Sequence, residues 1–333
     1  MDYLDYYSSY LGEPAYKTGS NYQFRCPLCD SSASESHLRV DVNTSVYICF
    51  RCGAKGNSST FARIMGEKPP QGLKGAHVSE EPYDPIIGEE VYTHLLNCMP
   101  LSECDLTELE VKRGVINPKQ YGLRTLIGAS AELTKQFSRD KLLLSGLFYE
   151  RDGYLVPRSV LGDGRLFIPY IQKERVVYMR TRGLTGPKYL CPKGAKTNQF
   201  VWGALQTGKK TVIVTEGEFK AMSAASHGAN ILAIPGINSA HQVFCDTVKE
   251  AGITKVIICF DTQVANMTDV DKAAHKLANQ LRKLPVVVAR ATLPLMPHVD
   301  NGEKMDIDSF IAYAGWPEFQ KLIRKGGTLY DKG

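Results

Sequence analysis

The chain has no stretch approaching the ~18 uninterrupted apolar residues that a membrane helix needs, so no span is expected among its 333 residues. It has no excess of charge of one sign: 40 Lys and Arg stand against 35 Asp and Glu, a formal net charge of +5. That balance permits a polyanionic partner without demanding one. Tryptophan is scarce, with two residues. The first residues, MDYLDYYSSYLGEP, show neither a basic leader nor an apolar core, so no secretory signal is expected. There is no internal repeat. What remains is an ordinary globular composition, 43% hydrophobic and 23% charged, enough for two or three domains.

Cysteine is the informative presence. Five of the nine, Cys98, Cys104, Cys191, Cys245 and Cys259, are scattered, which fits a reducing cytoplasm better than a disulfide scaffold. The other four form Cys26-x2-Cys29 and Cys49-x2-Cys52, separated by 19 residues. Each CxxC can wrap two sulfurs around one metal, and two pairs complete a tetrahedron. Between them HLRVDV alternates apolar and polar residues and SVYIC returns, so the insert reads as a hairpin. A structural zinc ribbon is expected; four buried free cysteines and a redox pair are the other readings. Arg39, Tyr47, Phe50, Arg51 and Lys55 mix basic and aromatic side chains. They suit either a face for unstacked bases or a solvated ribbon surface.

The rest of the chain divides by pattern. Residues 1–66 belong with the cysteine pairs, and 67–90, rich in Pro, Gly and charge, read as a linker. A first subdomain is expected over 91–208, helical at its start and strand-like over 154–190. Over 209–300 strands alternate with helices: Thr211–Thr215, NILAIPG, KVIICF and PVVVARA. This implies a parallel sheet covered on both faces. The helix after the third strand shows apolar residues at Val270, Ala274, Leu277, Leu281 and Leu284. Residues 301–333 carry a last acidic motif and a helix.

Two strands end in acids. TVIVTEGE delivers Glu216, and KVIICFD delivers Asp261; EKMDIDSFIAYAG adds Asp306 and Asp308. Ligands of parallel sheets bind outside the carboxyl ends of the strands, and converging carboxylates suit Mg²⁺ or Mn²⁺ beside phosphates. A single strand-terminal aspartate is more often a cap or turn residue. GALQTGKKT nearly spells a phosphate-binding loop, but Lys210 follows Lys209 where Ser or Thr is needed, and the segment precedes a strand.

In this order the motifs resemble bacterial and phage DNA primases of the zinc-ribbon plus Toprim type. The resemblance covers most of the chain. YICFRCGAKGNSSTFARIMG is similar to the second knuckle and the helix after it. RLFIPYIQKERVVYMRTRGLTGPKYLCP resembles the basic polymerase segment, VTEGEFKAMSAASHG the glutamate motif and ICFD the aspartate motif. The likeness is greatest to primase-like proteins of phages and plasmids, which share Glu216, Gly217, Lys220 and Ala221 and a segment like RGVINPKQYGLRT. The resemblance implies an α/β chain: an N-terminal zinc ribbon, then an RNA polymerase core with a mixed α+β N-terminal subdomain and a Toprim subdomain.

It also implies a function. A nucleotidyltransferase of the cytoplasm would synthesise RNA primers on single-stranded DNA from ribonucleoside triphosphates, beside a separate replicative helicase. Zinc would sit on Cys26, Cys29, Cys49 and Cys52. Catalytic Mg²⁺ or Mn²⁺ would sit on Glu216, Asp261, Asp306 and Asp308. Arg182 and Lys188 would contact nucleotide or template, with Arg180, Arg165 and Lys220 as further candidates. Among the departures from the cellular pattern, Lys220 stands where an Asp is usual, Gln263 replaces the second Asp of Asp-x-Asp, and Asn198 or Gln199 falls near a position that is often basic. The first two exchange two negative charges for one positive charge. They leave open a non-catalytic module that binds single-stranded nucleic acid.

Overall fold

The computed structural model describes residues 1–29, 36–68, 70, 72–73, 83–151, 153–183, 187–264, 267–299 and 302–325. Two compact units share the chain, one over residues 1–80 and one over 81–333.

The first unit begins with helix α1 (Tyr3–Leu11), opened by a capping box between Asp2 and Asp5. Strands β1 (Tyr16–Thr18), β2 (Asn21–Phe24), β3 (Leu38–Asp41), β4 (Tyr47–Cys49) and β5 (Lys55–Gly56) form one antiparallel sheet in sequence order. Helix α2 (Ser58–Ile64) follows, capped by Asn57. The alternation in HLRVDV places Leu38, Val40 and Val42 inside. The core is mainly aromatic: Tyr6, Tyr7, Tyr47 and Phe61 meet edge to face, with ring centroids 5.1–6.5 Å apart. The Tyr7 hydroxyl is satisfied by donating to the Ser45 carbonyl at 2.7 Å. Edge-to-face packing of this kind adds about 0.5–1.5 kcal/mol per pair beyond burial.

The second unit opens with α3 (Pro85–Cys98), whose start lies inside the stretch read as linker; Asp84 caps it and Pro85 sits at its first turn. The elements α4 (Glu103–Thr107), β6 (Arg124–Leu126), α5 (Ala129–Gln136), α6 (Arg139–Leu144), β7 (Phe148–Arg151) and β8 (Tyr154–Pro157) follow. Next come β9 (Arg165–Gln172), β10 (Arg175–Arg182), β11 (Tyr189–Leu190) and β12 (Trp202–Ala204). Strands β11, β10, β9 and β6 make a four-stranded antiparallel sheet in that order. Its inner residues Phe167, Val176 and Met179 pack with Val91, Tyr92 and Leu95 of α3.

The last third is β13 (Thr211–Glu216), α7 (Glu218–Ser226), β14 (Ile231–Ile234), α8 (His241–Glu250), β15 (Lys255–Ile258), β16 (Thr262–Gln263), α9 (Met267–Leu281), β17 (Val287–Arg290), β18 (Lys304–Met305), α10 (Ile307–Ala314) and α11 (Trp316–Arg324). The expected parallel sheet is present in the order β12, β14, β13, β15, β17, with β12 antiparallel to the others. Its strands are apolar on both faces because helices cover both. Val270, Ala274, Leu277 and Leu281 of α9 are buried on one side, with Leu284 partly buried beyond its end.

This order locates a site before any side chain is considered. The chain steps from β13 to β14 on one side, then returns across β13 to β15 on the other. The crevice between the carboxyl ends of β13 and β15 is therefore the topological switch point of the sheet, where such folds bind ligands. No helix among the described residues is long and apolar enough to cross a membrane.

Candidate active site and zinc centre

In the first unit the four cysteine sulfurs lie within 4.8 Å of one another. Cys26 and Cys52 sulfurs are 3.8 Å apart, and those of Cys29 and Cys49 are 3.6 Å apart. These separations fit four thiolates about 2.3 Å from one tetrahedral zinc. The Cys49 sulfur accepts the Cys52 amide at 3.5 Å, the turn a knuckle needs to aim both sulfurs at one point. Gly53 closes that turn at φ 74°, in the left-handed region, and its amide reaches the Cys49 carbonyl at 3.0 Å. The donor set and spacing together assign a structural zinc ribbon.

The mixed basic and aromatic set splits. Tyr47 is fully buried in the core, so it offers nothing to a ligand. Phe50, at 60% exposure, stands on the surface with Ile48 of β4 and Arg51. The Arg39 guanidinium lies 5.9 Å from the Phe50 ring centroid, over its face. One exposed ring beside a guanidinium, with Lys55 on the neighbouring strand β5, is a platform on which a base can stack.

In the second unit, β13 delivers Glu216 to the switch point, and Gly217 at φ 86° turns the chain at once into α7. A side chain at that φ is strained, so a glycine must separate the strand acid from the helix. The turn sets Glu218, Phe219 and Lys220 in the first turn of α7. Strand β15 then runs into Asp261, which is 4% exposed. Beyond it β16 pairs antiparallel with β18, Thr262 opposite Met305 and Gln263 opposite Lys304. This short ribbon brings Lys304 and Asp306 beside Asp261.

The acids gather around the Lys220 ammonium, but among the described residues no three of them bring ligand oxygens within 4.8 Å of one another. Lys220 Nζ donates to both oxygens of Asp261 at 2.6 Å, and Lys304 Nζ lies 3.4 Å from Asp261 Oδ2. Asp306 caps α10 by accepting the Ser309 amide at 3.1 Å. Asp308 takes the Arg113 guanidinium at 2.8 Å. Glu216 alone of the four makes no hydrogen bond or ion pair with a described residue. Burial pushes its carboxyl above the usual range, nearby Asp261 adds to this, and Lys220, Lys304 and Arg180 oppose it.

Burial would lower the Lys220 ammonium, but the charge and hydrogen bonds of Asp261 more than reverse this and hold it above its ordinary value. A cation in the first turn of a helix also opposes the macrodipole. Its place there follows from Asp261 and not from helix propensity. In the partner motif, burial pushes Asp308 up, and Asp306 pushes it further by hydrogen bond and charge. Asp306 is held low, because hydrogen bonds from Asp308 and Ser309 and the Lys220 charge outweigh its burial.

The basic residues divide into two kinds. Arg165, 7% exposed, is consumed by the protein: it donates to Thr181 Oγ1 at 2.8 Å and to the carbonyls of Thr181, Pro187 and Lys188 at 3.1, 3.1 and 3.4 Å. It holds the backbone that carries Lys188. Arg180 pairs with buried Glu218 at 2.7 Å, and Tyr170 donates to the same carboxylate oxygen at 2.5 Å. The Arg180 guanidinium also lies over Tyr189.

Arg182 and Lys188 instead belong to a cluster of cations. The Lys188 ammonium is pushed down by burial and then by Arg182, Lys304, Arg113 and Lys220 in turn. Arg113 and Arg182 both lie over the Phe219 ring, at 5.1 and 5.4 Å from its centroid. Arg182 is anchored to Glu108 at 3.1 Å. Four of these five cations are already engaged, Arg113 by Asp308, Arg182 by Glu108, and Lys220 and Lys304 by Asp261; Lys188 makes no ion pair with a described residue, so it is the cation suited to meet a phosphate there.

Sequence reading missed Arg113, Glu108, Glu218, Phe219 and Lys304. Arg113 opens the RGVINPKQYGLRT segment, the one signal that pointed near it. Lys304 two residues before Asp306 was visible only as an ordinary charge. Gln263 enters through the backbone of the β16–β18 ribbon and has no side-chain hydrogen bond to a described residue.

Comparison with known proteins bears on the fold. Residues 201–317 match a family model described as a domain of unknown function, DUF3854. No curated protein matches the chain in sequence. In structure the chain is similar to the zinc-binding and RNA polymerase domains of the Aquifex aeolicus primase, at 20% identity and a TM-score of 0.58, over 98% of this chain and 83% of that one. It is also similar to a chain from bacteriophage T7 lagging-strand DNA polymerase interacting with primase domains, at 19% identity and a TM-score of 0.38, over 64% of this chain and 97% of that one. The first likeness shows that ribbon and core share the architecture of a primase's zinc-binding and polymerase domains.

Proposed function

We propose that the chain is a DNA primase, a nucleotidyltransferase that builds short RNA primers on single-stranded DNA in phage- or plasmid-type replication. The observation that carries this reading is Lys188, without an ion pair to a described residue, among Arg182, Arg113, Lys304 and Lys220 at the switch point of the parallel sheet whose strand β13 ends in unpaired Glu216. Lys188 suits the triphosphate of an incoming ribonucleotide. Lys188 and Arg182 neutralise charge that builds on the departing pyrophosphate. Glu216, unpaired and made more basic by burial, accepts the proton of the attacking 3′-hydroxyl. That oxygen bonds to the α-phosphorus as the bond to pyrophosphate breaks. The ribbon presents Phe50 and Arg39 to unstacked template bases. A separate helicase supplies the opened strand in the cytoplasm.

The chemistry expected from the sequence used two divalent ions, Mg²⁺ or Mn²⁺. The carboxylates do not fit a metal pair as arranged. Asp261 is neutralised by Lys220, Asp308 is engaged by Arg113 and Asp306 is spent on a helix cap. No step is therefore routed through such ions.

The same neutralisation of Asp261 favours a second reading, a non-catalytic module that holds single-stranded nucleic acid. Calorimetry with ribonucleoside triphosphate and Mg²⁺ separates the two. The primase reading expects binding that weakens at least about tenfold in Lys188→Ala, the loss of one charge-assisted contact. No nucleotide binding, with single-stranded DNA still bound, establishes the module instead.

A further inference from the structure

A second cluster of metal-ligating atoms lies in the second unit, away from the switch-point residues. His94 and Cys98 stand four residues apart near the end of α3, so they share one face of that helix. Glu132 comes from α5, and its Oε1 lies 3.2 Å from His94 Nε2. The imidazole nitrogen, the thiol sulfur and the carboxylate oxygen are all within 4.8 Å of one another.

The positions are fixed from behind. Leu95 of α3 and Ala129 and Leu133 of α5 belong to one buried cluster, which sets the spacing of the two helices. The His94 ring stands edge to face on Phe137, with centroids 5.4 Å apart at 87°, which holds its orientation. Nothing in the proposed chemistry uses these three residues, and the five unpaired cysteines were read only as a sign of a reducing compartment.

We propose that His94, Cys98 and Glu132 form a second transition-metal site, for Zn²⁺, distinct from the four-cysteine centre. The donor set is the argument. One nitrogen, one sulfur and one oxygen are borderline ligands that suit Zn²⁺ and disfavour Mg²⁺ or Ca²⁺. Tetrahedral zinc with bonds of about 2.0–2.3 Å sets its donors roughly 3.3–3.7 Å apart. The His94–Glu132 separation is already there. Cys98, at the exposed end of α3, closes the remainder by a side-chain rotation. Three protein ligands leave the fourth position to water, so the ion clasps α3 to α5 and exchanges with solution.

The test uses the full chain, reduced, stripped of metal and dialysed against buffered free Zn²⁺. The account expects two zinc equivalents per chain in wild type and one in Cys98→Ser, His94→Ala and Glu132→Gln, each with unchanged circular dichroism. Loading with Co²⁺ alone should give a thiolate charge-transfer band that loses one thiolate's share in Cys98→Ser. Wild type that binds one equivalent, lost in Cys49→Ser, overturns the proposal. Two equivalents retained in all three α3–α5 variants overturn it equally.

Discussion

Replacing Lys220 with Ala should reveal what the lysine does at the switch point. Its ammonium lies 2.6 Å from both Asp261 oxygens, and the side chains are 15% and 4% exposed. At an effective dielectric of 20 the Coulomb attraction at that distance is about 6 kcal/mol, and desolvation of both groups offsets much of it. Removing one partner of such a pair costs about 3–5 kcal/mol, because the other charge is left buried alone. Lys304 remains, 3.4 Å from Asp261 and 39% exposed, so the loss should lie near the lower end, about 3 kcal/mol. In a unit of this size that lowers Tm by roughly 6–12 °C. Urea denaturation of wild type, Lys220→Ala, Asp261→Asn and the double variant isolates the pair; a coupling of about 2–3 kcal/mol is expected. The freed carboxylate should also bind Mn²⁺ more tightly, read by electron paramagnetic resonance. A coupling near zero, with unchanged Mn²⁺ affinity, would refute the claim that Lys220 occupies the place of a cation at Asp261.

Removing zinc with a chelator, or Cys49→Ser, should unfold the ribbon while the second unit stays folded, seen as loss of tyrosine near-ultraviolet dichroism from the Tyr6, Tyr7 and Tyr47 cluster. Phe50→Ala should weaken binding of single-stranded DNA by about 1–3 kcal/mol in fluorescence titration, with stability unchanged because the ring is exposed. Glu218→Gln should destabilise the second unit by about 3 kcal/mol, since it strands the Arg180 charge, 12% exposed, beside Tyr170. Burial and Asp306 raise Asp308, so the folded form keeps a proton that the unfolded chain has released. That stability is full below the unfolded value of about 4 and is lost as pH rises through the folded value. Asp308→Asn should therefore flatten the decline of stability over that window in denaturation at a series of pH values.

How far the sequence carried depends on the range of the interactions. The zinc ribbon was legible because a metal site built from CxxC pairs is local, and its ligand spacing is its geometry. The parallel sheet was legible because strands buried on both faces read as apolar runs, as in VIIC after VIVT. The place of Glu216 and Asp261 at the strand ends followed from the sheet pattern and from the acids that close VIVTE and VIICFD. The ion pairs were not legible. Lys220 looked like a departure from an acidic motif, and only the approach of α7 to the end of β15 shows that it is Asp261's partner. Arg165 and Arg180 were groove candidates because their segment resembles a basic polymerase motif, but on β9 Arg165 turns onto the carbonyls of Thr181, Pro187 and Lys188, and on β10 Arg180 turns onto Glu218. Arg113 and Lys304 come from segments far apart in sequence, and no local pattern pairs either with Asp308 or Asp261. The start of α3 at Pro85 was obscured by a proline that reads as a breaker yet serves at the first turn of a helix.

The central claim is that Lys188, its neighbouring cations and Glu216 carry template-directed RNA synthesis. Incubation of the full chain with single-stranded DNA templates, labelled ribonucleoside triphosphates and Mg²⁺ or Mn²⁺ tests it most directly. The account predicts short oligoribonucleotides in wild type, a product yield at least about a hundredfold lower in Glu216→Gln, and binding of the triphosphate retained in that variant. No oligoribonucleotide on any template, or equal synthesis by wild type and Glu216→Gln, would contradict it.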